Sequence, residues 1–363
     1  MFDHWLKPAT PIAATNHYSW GKHLSYYQGG TATLAPHQCV LIGLDANAAD
    51  AVRAQLYPMS TAFSGKPFTD LGNLRKTKVE FVIPLLKEVQ ESRLFPILIG
   101  GKPSLAYAQF QSFLGMRDLV SMVAIDERIP FSLNKKRNPL HYLNPIIHQR
   151  KESLFNLGLI GAQAHLTDPA ILQWLDEQYY EYYRLGKTRE QLEEVEPLLR
   201  NADIISFHLN VLKQSEAPGQ LNASPSGLFL EEVCQLARYA GMSDKLRSFG
   251  VYGIDSGAKR KLTATAQAVA QIIWYFTEGF YQRFGDYPVT NKGLTEYIVD
   301  WKGQDEKLTF WKSPKSGRWW LQVPVKTGHK HQRHRLIPCS YNDYQQAIEQ
   351  ELPDRLWNAF RRF

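Results

Sequence analysis

The feature that most constrains the fold is a series of short, uninterrupted apolar runs, each followed by Gly, Pro or polar residues and separated from the next by a stretch with helical periodicity. Three of these runs end in chemistry-bearing side chains. They are Phe95-Pro-Ile-Leu-Ile-Gly-Gly-Lys-Pro-Ser104, Leu119-Val-Ser-Met-Val-Ala-Ile-Asp-Glu-Arg128, and the stretch from Ala202 to Pro218, with His208 and Asn210 where its apolar run turns polar. Strands without polar alternation must be covered on both faces, so such strands alternating with helices predict a mainly parallel sheet between two helical layers. Further strands are expected at 39–45, 154–160 and 249–254, with the central one running over 204–209. Helices are expected at 48–56, 75–92, 105–114, 168–184, 188–199, 228–239 and 263–280, whereas 66–73 reads as a loop. In an open sheet of this kind the crevice at the carboxyl ends of the strands holds the chemistry. His208 and Asn210, two residues apart at the carboxyl end of the central strand, are expected to point the same way, because side chains alternate along a strand.

The reading is therefore a three-layer α/β/α domain over 38–295, preceded by an irregular aromatic arm at 1–37. The end of the chain changes character. Two aromatic strands around Ser313-Pro-Lys-Ser-Gly317 predict a β-hairpin, followed by a basic strand to 336 and a helix at 341–350, so 296–363 is expected to be an α+β extension packed on the main domain.

Charge is unevenly placed. The net charge is +7, and residues 302–363 hold 12 Lys and Arg against 6 Asp and Glu, leaving the rest of the chain close to neutral. A locally basic tail suits an acidic partner and argues against a nucleic-acid-binding fold. Within it His329, His331 and His334 are interleaved with Lys330, Arg333 and Arg335, which reads as a solvated basic face rather than a metal site. No apolar run approaches the roughly 18 residues of a membrane span, and the first residues lack the apolar core of a signal peptide, so no membrane partner and a cytoplasmic location are expected. Cys39, Cys234 and Cys339 fit no zinc or redox spacing and are expected to be free, buried thiols.

In order and interval the three strand ends resemble the motifs of the ureohydrolases: arginase, agmatinase and formimidoylglutamase. Phe95 to Ser104 has the frame of the Gly-Gly-Asp-His motif, Ala124-Ile-Asp-Glu-Arg-Ile-Pro130 that of Asp-Ala-His-x-Asp, and Ser206-Phe-His-Leu-Asn-Val-Leu-Lys213 that of Ser-Phe-Asp-x-Asp. The resemblance spans about 35–285, and the segments at 315–320 and 338–344 also look like the C-terminal extension of formimidoylglutamase-like sequences. It implies an arginase-like fold, a homo-oligomer (trimer or hexamer), and two Mn²⁺ ions whose bridging hydroxide attacks an amidine carbon.

Carried over position by position, the ligands of that pair fall on Pro103, Asp126, Arg128, Pro130, His208 and Asn210, of which only Asp126 keeps the family's residue. Proline has no side-chain donor, and Arg128, like Lys102, brings a positive charge where the ions would sit. The family's late-strand carboxylate aligns with Gly253, with Asp255 close by; Gln163 and His165 follow another strand and are further candidates for the pocket wall. Asp126 is expected to pair with Arg128 or Lys102, and His208 and Asn210 to complete the hydrogen bonds. Together these departures predict a chain that has lost the dinuclear centre, needs no cofactor, and serves as a binding or scaffold protein. The alternative is an active hydrolase of linear amidines using a displaced metal at Asp126, His208 and His165.

Overall fold

The computed structural model describes residues 2–12, 16–30, 34–61, 65–116, 119–134, 138–288, 291–300, 307–323 and 336–362. The strands are β1 (Leu6–Lys7), β2 (Ser25–Tyr26), β3 (Cys39–Gly43), β4 (Phe68–Leu74), β5 (Phe95–Ile99), β6 (Val120–Ile125), β7 (Leu154–Ala162), β8 (Glu181–Arg184), β9 (Ile204–His208), β10 (Ser248–Tyr252), β11 (Thr295–Asp300), β12 (Lys307–Lys312), β13 (Trp319–Gln322) and β14 (Leu336–Cys339). The helices are α1 (Ala46–Leu56), α2 (Val79–Glu91), α3 (Leu105–Gln111), α4 (Asn144–Gln149), α5 (Pro169–Glu177), α6 (Leu185–Glu190), α7 (Glu196–Arg200), α8 (Leu230–Gly241), α9 (Lys259–Tyr281), α10 (Tyr341–Ile348) and α11 (Asp354–Arg362).

One large sheet runs in the order β1-β4-β3-β5-β10-β9-β6-β7-β8, with β2 beside β4. Only β1 is antiparallel to its neighbour; the other pairings are parallel. β3, β5, β6, β9 and β10 are buried along their whole length, as continuous apolar runs covered on both faces require. The two faces carry separate cores. α1, α8 and α9 cover one, where Phe249 stacks on Phe276 with centroids 4.2 Å apart. α2, α3 and α5 contribute to the other. The chain therefore has the three-layer α/β/α architecture expected of it, and all three cysteines are free and buried.

Several elements depart from the sequence reading. Residues 68–74, expected to be a loop, form β4 and are buried throughout. The polar residue that disguised the strand, Asp70, is fully buried and receives two bonds from Arg53 of α1, Nε to Oδ2 at 2.7 Å and Nη2 to Oδ1 at 2.9 Å. The single helix expected over 168–184 stops at Glu177, because Tyr179 takes a left-handed conformation (φ 57°); the chain then enters β8, the last strand of the sheet order. The stretch 188–199 is divided among α6, a 3₁₀ turn at Leu192–Val195 and α7. The described residues of the arm at 1–37 are mostly irregular but add β1 and β2 to the sheet edge.

The hairpin is present as β12 and β13, with Trp311 opposite Trp320, and is extended by β11 and β14 into a four-stranded antiparallel sheet. α10 follows as expected, and α11 was not foreseen. Buried Arg200 of α7 reaches into this sheet, donating to the carbonyls of Trp319 and Cys339, each at 3.1 Å, while its guanidinium lies over the Trp320 ring. Arg355 of α11 reaches back to the Tyr183 hydroxyl at 3.0 Å. His329, His331 and His334 lie outside the described residues.

Candidate ligand cavity at the strand ends

The strand order brings β5, β10, β9 and β6 side by side, so their carboxyl ends converge on one crevice. After β5 the chain turns through Gly100 and Gly101, both at φ 77°; a Cβ on Gly101 would lie 2.9 Å from Leu44 and Leu105 side-chain atoms. This tight turn into α3 sets Lys102, Pro103 and Ser104 on the crevice rim. Asp126 follows β6, and His208 is the last residue of β9. Asn210 sits in the following 3₁₀ turn, not on the strand, yet both residues line the crevice.

The result is a cavity of about 510 Å³. Pro103, Pro139, Leu140 and Leu221 form its apolar wall, and Lys102, Asp126, Arg128, Tyr142, His208, Asn210 and Asn222 supply polar groups. Asp126 Oδ2 accepts from the Tyr142 hydroxyl at 3.0 Å, and its Oδ1 accepts from the Arg128 backbone N–H at 3.3 Å. The His208 ring stacks on Tyr142 (centroids 5.8 Å apart, 15° between planes), with Nδ1 3.9 Å from Asp126 Oδ1. The Asn210 backbone N–H donates to His208 Nδ1 at 3.4 Å, which leaves the proton of the neutral ring on Nε2. Burial drives the His208 pKa below its usual value, against the opposing pull of Asp126. Burial also pushes the Tyr142 hydroxyl well above the usual phenol range, and the Asp126 charge adds to that shift.

The expected pairing of Asp126 with the Arg128 or Lys102 side chain is not what forms. Arg128 Nε instead meets Glu127 Oε1 at 3.2 Å. Glu127 is almost wholly buried; its other oxygen has no partner among the described residues, and burial raises its pKa despite the Arg128 charge. Sequence reasoning missed Glu127, Tyr142 and Asn222. Tyr142 lies in an irregular segment ahead of α4, where neither periodicity nor a motif marks it; the Asn144-Pro145 helix start was the one usable signal nearby.

The remaining candidates are dispersed. Pro130 is buried, and its carbonyl accepts from Leu143 N–H at 2.9 Å. Gln163 is buried and donates to the Ser226 carbonyl at 3.1 Å, while His165 is exposed in a 3₁₀ turn; neither lines the cavity. Gly253, at φ 88°, backs directly onto the imidazole, for a Cβ there would stand 2.9 Å from His208 Cε1. Asp255 lies beyond it, accepting from Gly257 N–H at 3.0 Å.

No family model matches the chain, and no curated protein does. Solved structures do. Formimidoylglutamase from Bacillus subtilis is similar to it with a TM-score of 0.61 at 15% identity, over 70% of this chain and 90% of that one. Formiminoglutamase from Trypanosoma cruzi with Mn²⁺ gives a TM-score of 0.59 at 15% identity, over 68% and 94%. Arginase from Bacillus subtilis gives 0.54 at 15%, over 66% and 98%. The chain has the ureohydrolase fold.

Within that fold, the donor set at the strand ends does not suit a pair of Mn²⁺ ions. Among the described residues no group of three or more His, Cys, Asp or Glu side chains is arranged so that it could hold a metal ion. Of the six positions that the motifs assign to ligands, Pro103 and Pro130 have no donor and Arg128 is a cation. The remaining three offer one carboxylate, one imidazole and one amide. Lys102 lines the same cavity as Asp126. Two dications beside these cations would be repelled rather than held. His165, the third donor of a displaced single-metal site, is absent from the cavity wall.

Proposed function

We propose that this ureohydrolase-fold chain is a pseudoenzyme: it works without a dinuclear metal centre and acts as a binding protein through the crevice that the fold keeps open. The observation carrying this reading is the chemistry of the cavity wall, where Lys102 and Arg128 accompany the single carboxylate of Asp126. A cavity of about 510 Å³ with an apolar side and two cations suits a small carboxylate-bearing molecule, such as an amino-acid derivative. Asn210, Asn222 and the His208 Nε2–H would set its orientation. The basic C-terminal extension is a second place for association, either with further copies of the chain or with an acidic partner.

Release of urea and formamide from arginine, agmatine and formimidoylglutamate, measured with excess Mn²⁺, tests the proposal. The expected result is no release above the protein-free control. Turnover that is saturable in any of the three substrates and abolished by Asp126→Ala would overturn it.

A further inference from the structure

A second pocket lies at the opposite pole of the sheet, where the amino ends of β3, β5 and β10 converge. It has a volume of about 260 Å³ and is lined by His37, Gln90, Arg93, Leu94, Phe95, Phe113, Met116, Arg247, Phe280 and Arg283. Three of these residues are arginines and none is an acid.

Arg283 is fixed in place. Its guanidinium lies 4.0 Å from the Phe280 ring centroid and 5.2 Å from that of Phe95, and its Nε donates to the Gly241 carbonyl at 2.8 Å. The carboxylate with electrostatic influence on it, Asp244, is engaged by the Gly285 and Asp286 backbone N–H groups at 3.2 and 3.1 Å. Burial without a close counter-charge lowers the Arg283 pKa to about 10. Arg93 and Arg247 are exposed at the mouth, and among the described residues no side chain bonds to either guanidinium.

The backbone at the rim brings two further side chains together. His37 and Arg93 both take left-handed conformations, φ 65° and 58°, and are joined by a 2.7 Å bond from His37 N–H to the Arg93 carbonyl. At Arg93 the left-handed residue ends α2: its N–H donates to the Gln90 carbonyl at 2.8 Å and the Leu94 N–H to the Val89 carbonyl at 3.1 Å. This backbone presents Arg93 and His37 together at one mouth.

We infer that this pocket is a binding site for a small oxyanion carried on a flat aromatic body. Guanidinium groups match the paired oxygens of phosphate or carboxylate, while Phe95, Phe113 and Phe280 form an aromatic floor. A cavity of about 150 Å³ holds benzene, so 260 Å³ takes one ring and its anionic substituent. The site is independent of the strand-end cavity, since none of its lining residues is shared with that wall.

The test is calorimetry of the full chain with phenyl phosphate, inorganic phosphate and phenol. Phenyl phosphate should bind at least about tenfold more tightly than either fragment. Arg247→Ala and Arg93→Gly should each weaken it about tenfold. Because glycine relieves the left-handed strain, Arg93→Gly should also raise the thermal midpoint, separating lost binding from lost folding. Lys102→Ala, in the other cavity, should leave the affinity unchanged. The inference fails if phenyl phosphate gives no heat, if either fragment binds as tightly, if both arginine variants bind like the parent chain, or if Lys102→Ala abolishes binding.

Discussion

At Asp126 one carboxylate oxygen accepts from the Tyr142 hydroxyl and the other from the Arg128 backbone N–H. Tyr142→Phe would leave one buried carboxylate oxygen short of a donor. Its expected cost is about 1–2 kcal/mol, read from the urea midpoint of unfolding. His208 gives a pH dependence. Its folded pKa is depressed from 6.5 by burial, so below that pH the unfolded chain takes up a proton that the folded chain resists. Stability should therefore fall as pH drops through 6.5 towards the folded value. Glu127, whose folded pKa is raised, works in the opposite direction at lower pH, where the folded chain gains the proton first. Subtracting the His208→Gln profile from that of the parent isolates the imidazole: the difference should slope upward with pH across this window, and a flat difference would show that the ring does not resist protonation. The sequence made Asp126, His208 and Asn210 legible because each follows or ends an apolar run. Tyr142 and Glu127 stayed hidden, since a tyrosine in an irregular segment and a carboxylate beside a better-marked one carry no pattern of their own.

Elements read most clearly where burial is complete and apolar. β5, β6 and β9 were recognisable for that reason, whereas β4 was obscured by Asp70, a charge that is tolerated inside because Arg53 meets it with two bonds. Asp70→Ala would strand the buried guanidinium, and the expected loss is about 3–5 kcal/mol by chemical denaturation. A loss within experimental error would mean that Arg53 finds other acceptors, such as Asn73, which already accepts at 2.6 Å. The break between α5 and β8 was illegible for a different reason. Apolar periodicity continues past the point where Tyr179 turns left-handed, and tertiary pairing of β8 with β7 prevails over local propensity.

Over the whole molecule, the two sheets are joined by arginines. Arg200→Ala removes two bonds to carbonyls of the C-terminal sheet and the contact with Trp320, and should lower stability by at least about 2 kcal/mol, measured by thermal or urea unfolding. An unchanged midpoint would show that this junction contributes little to folding. The layered order of the α/β/α body was visible in the sequence apart from β4 and β8, while β11 and α11 were not. Their short segments become ordered against Trp319, Tyr344 and the rest of the small core, long-range contacts that no local pattern encodes.

The central proposal is that this body keeps the crevice of the ureohydrolase fold without the means to hold two Mn²⁺ ions. Its most direct test is manganese content, measured by plasma mass spectrometry after equilibration of the full chain with Mn²⁺ and desalting. Far less than one ion per chain is the predicted result; two ions per chain, lost on Asp126→Ala, would contradict it.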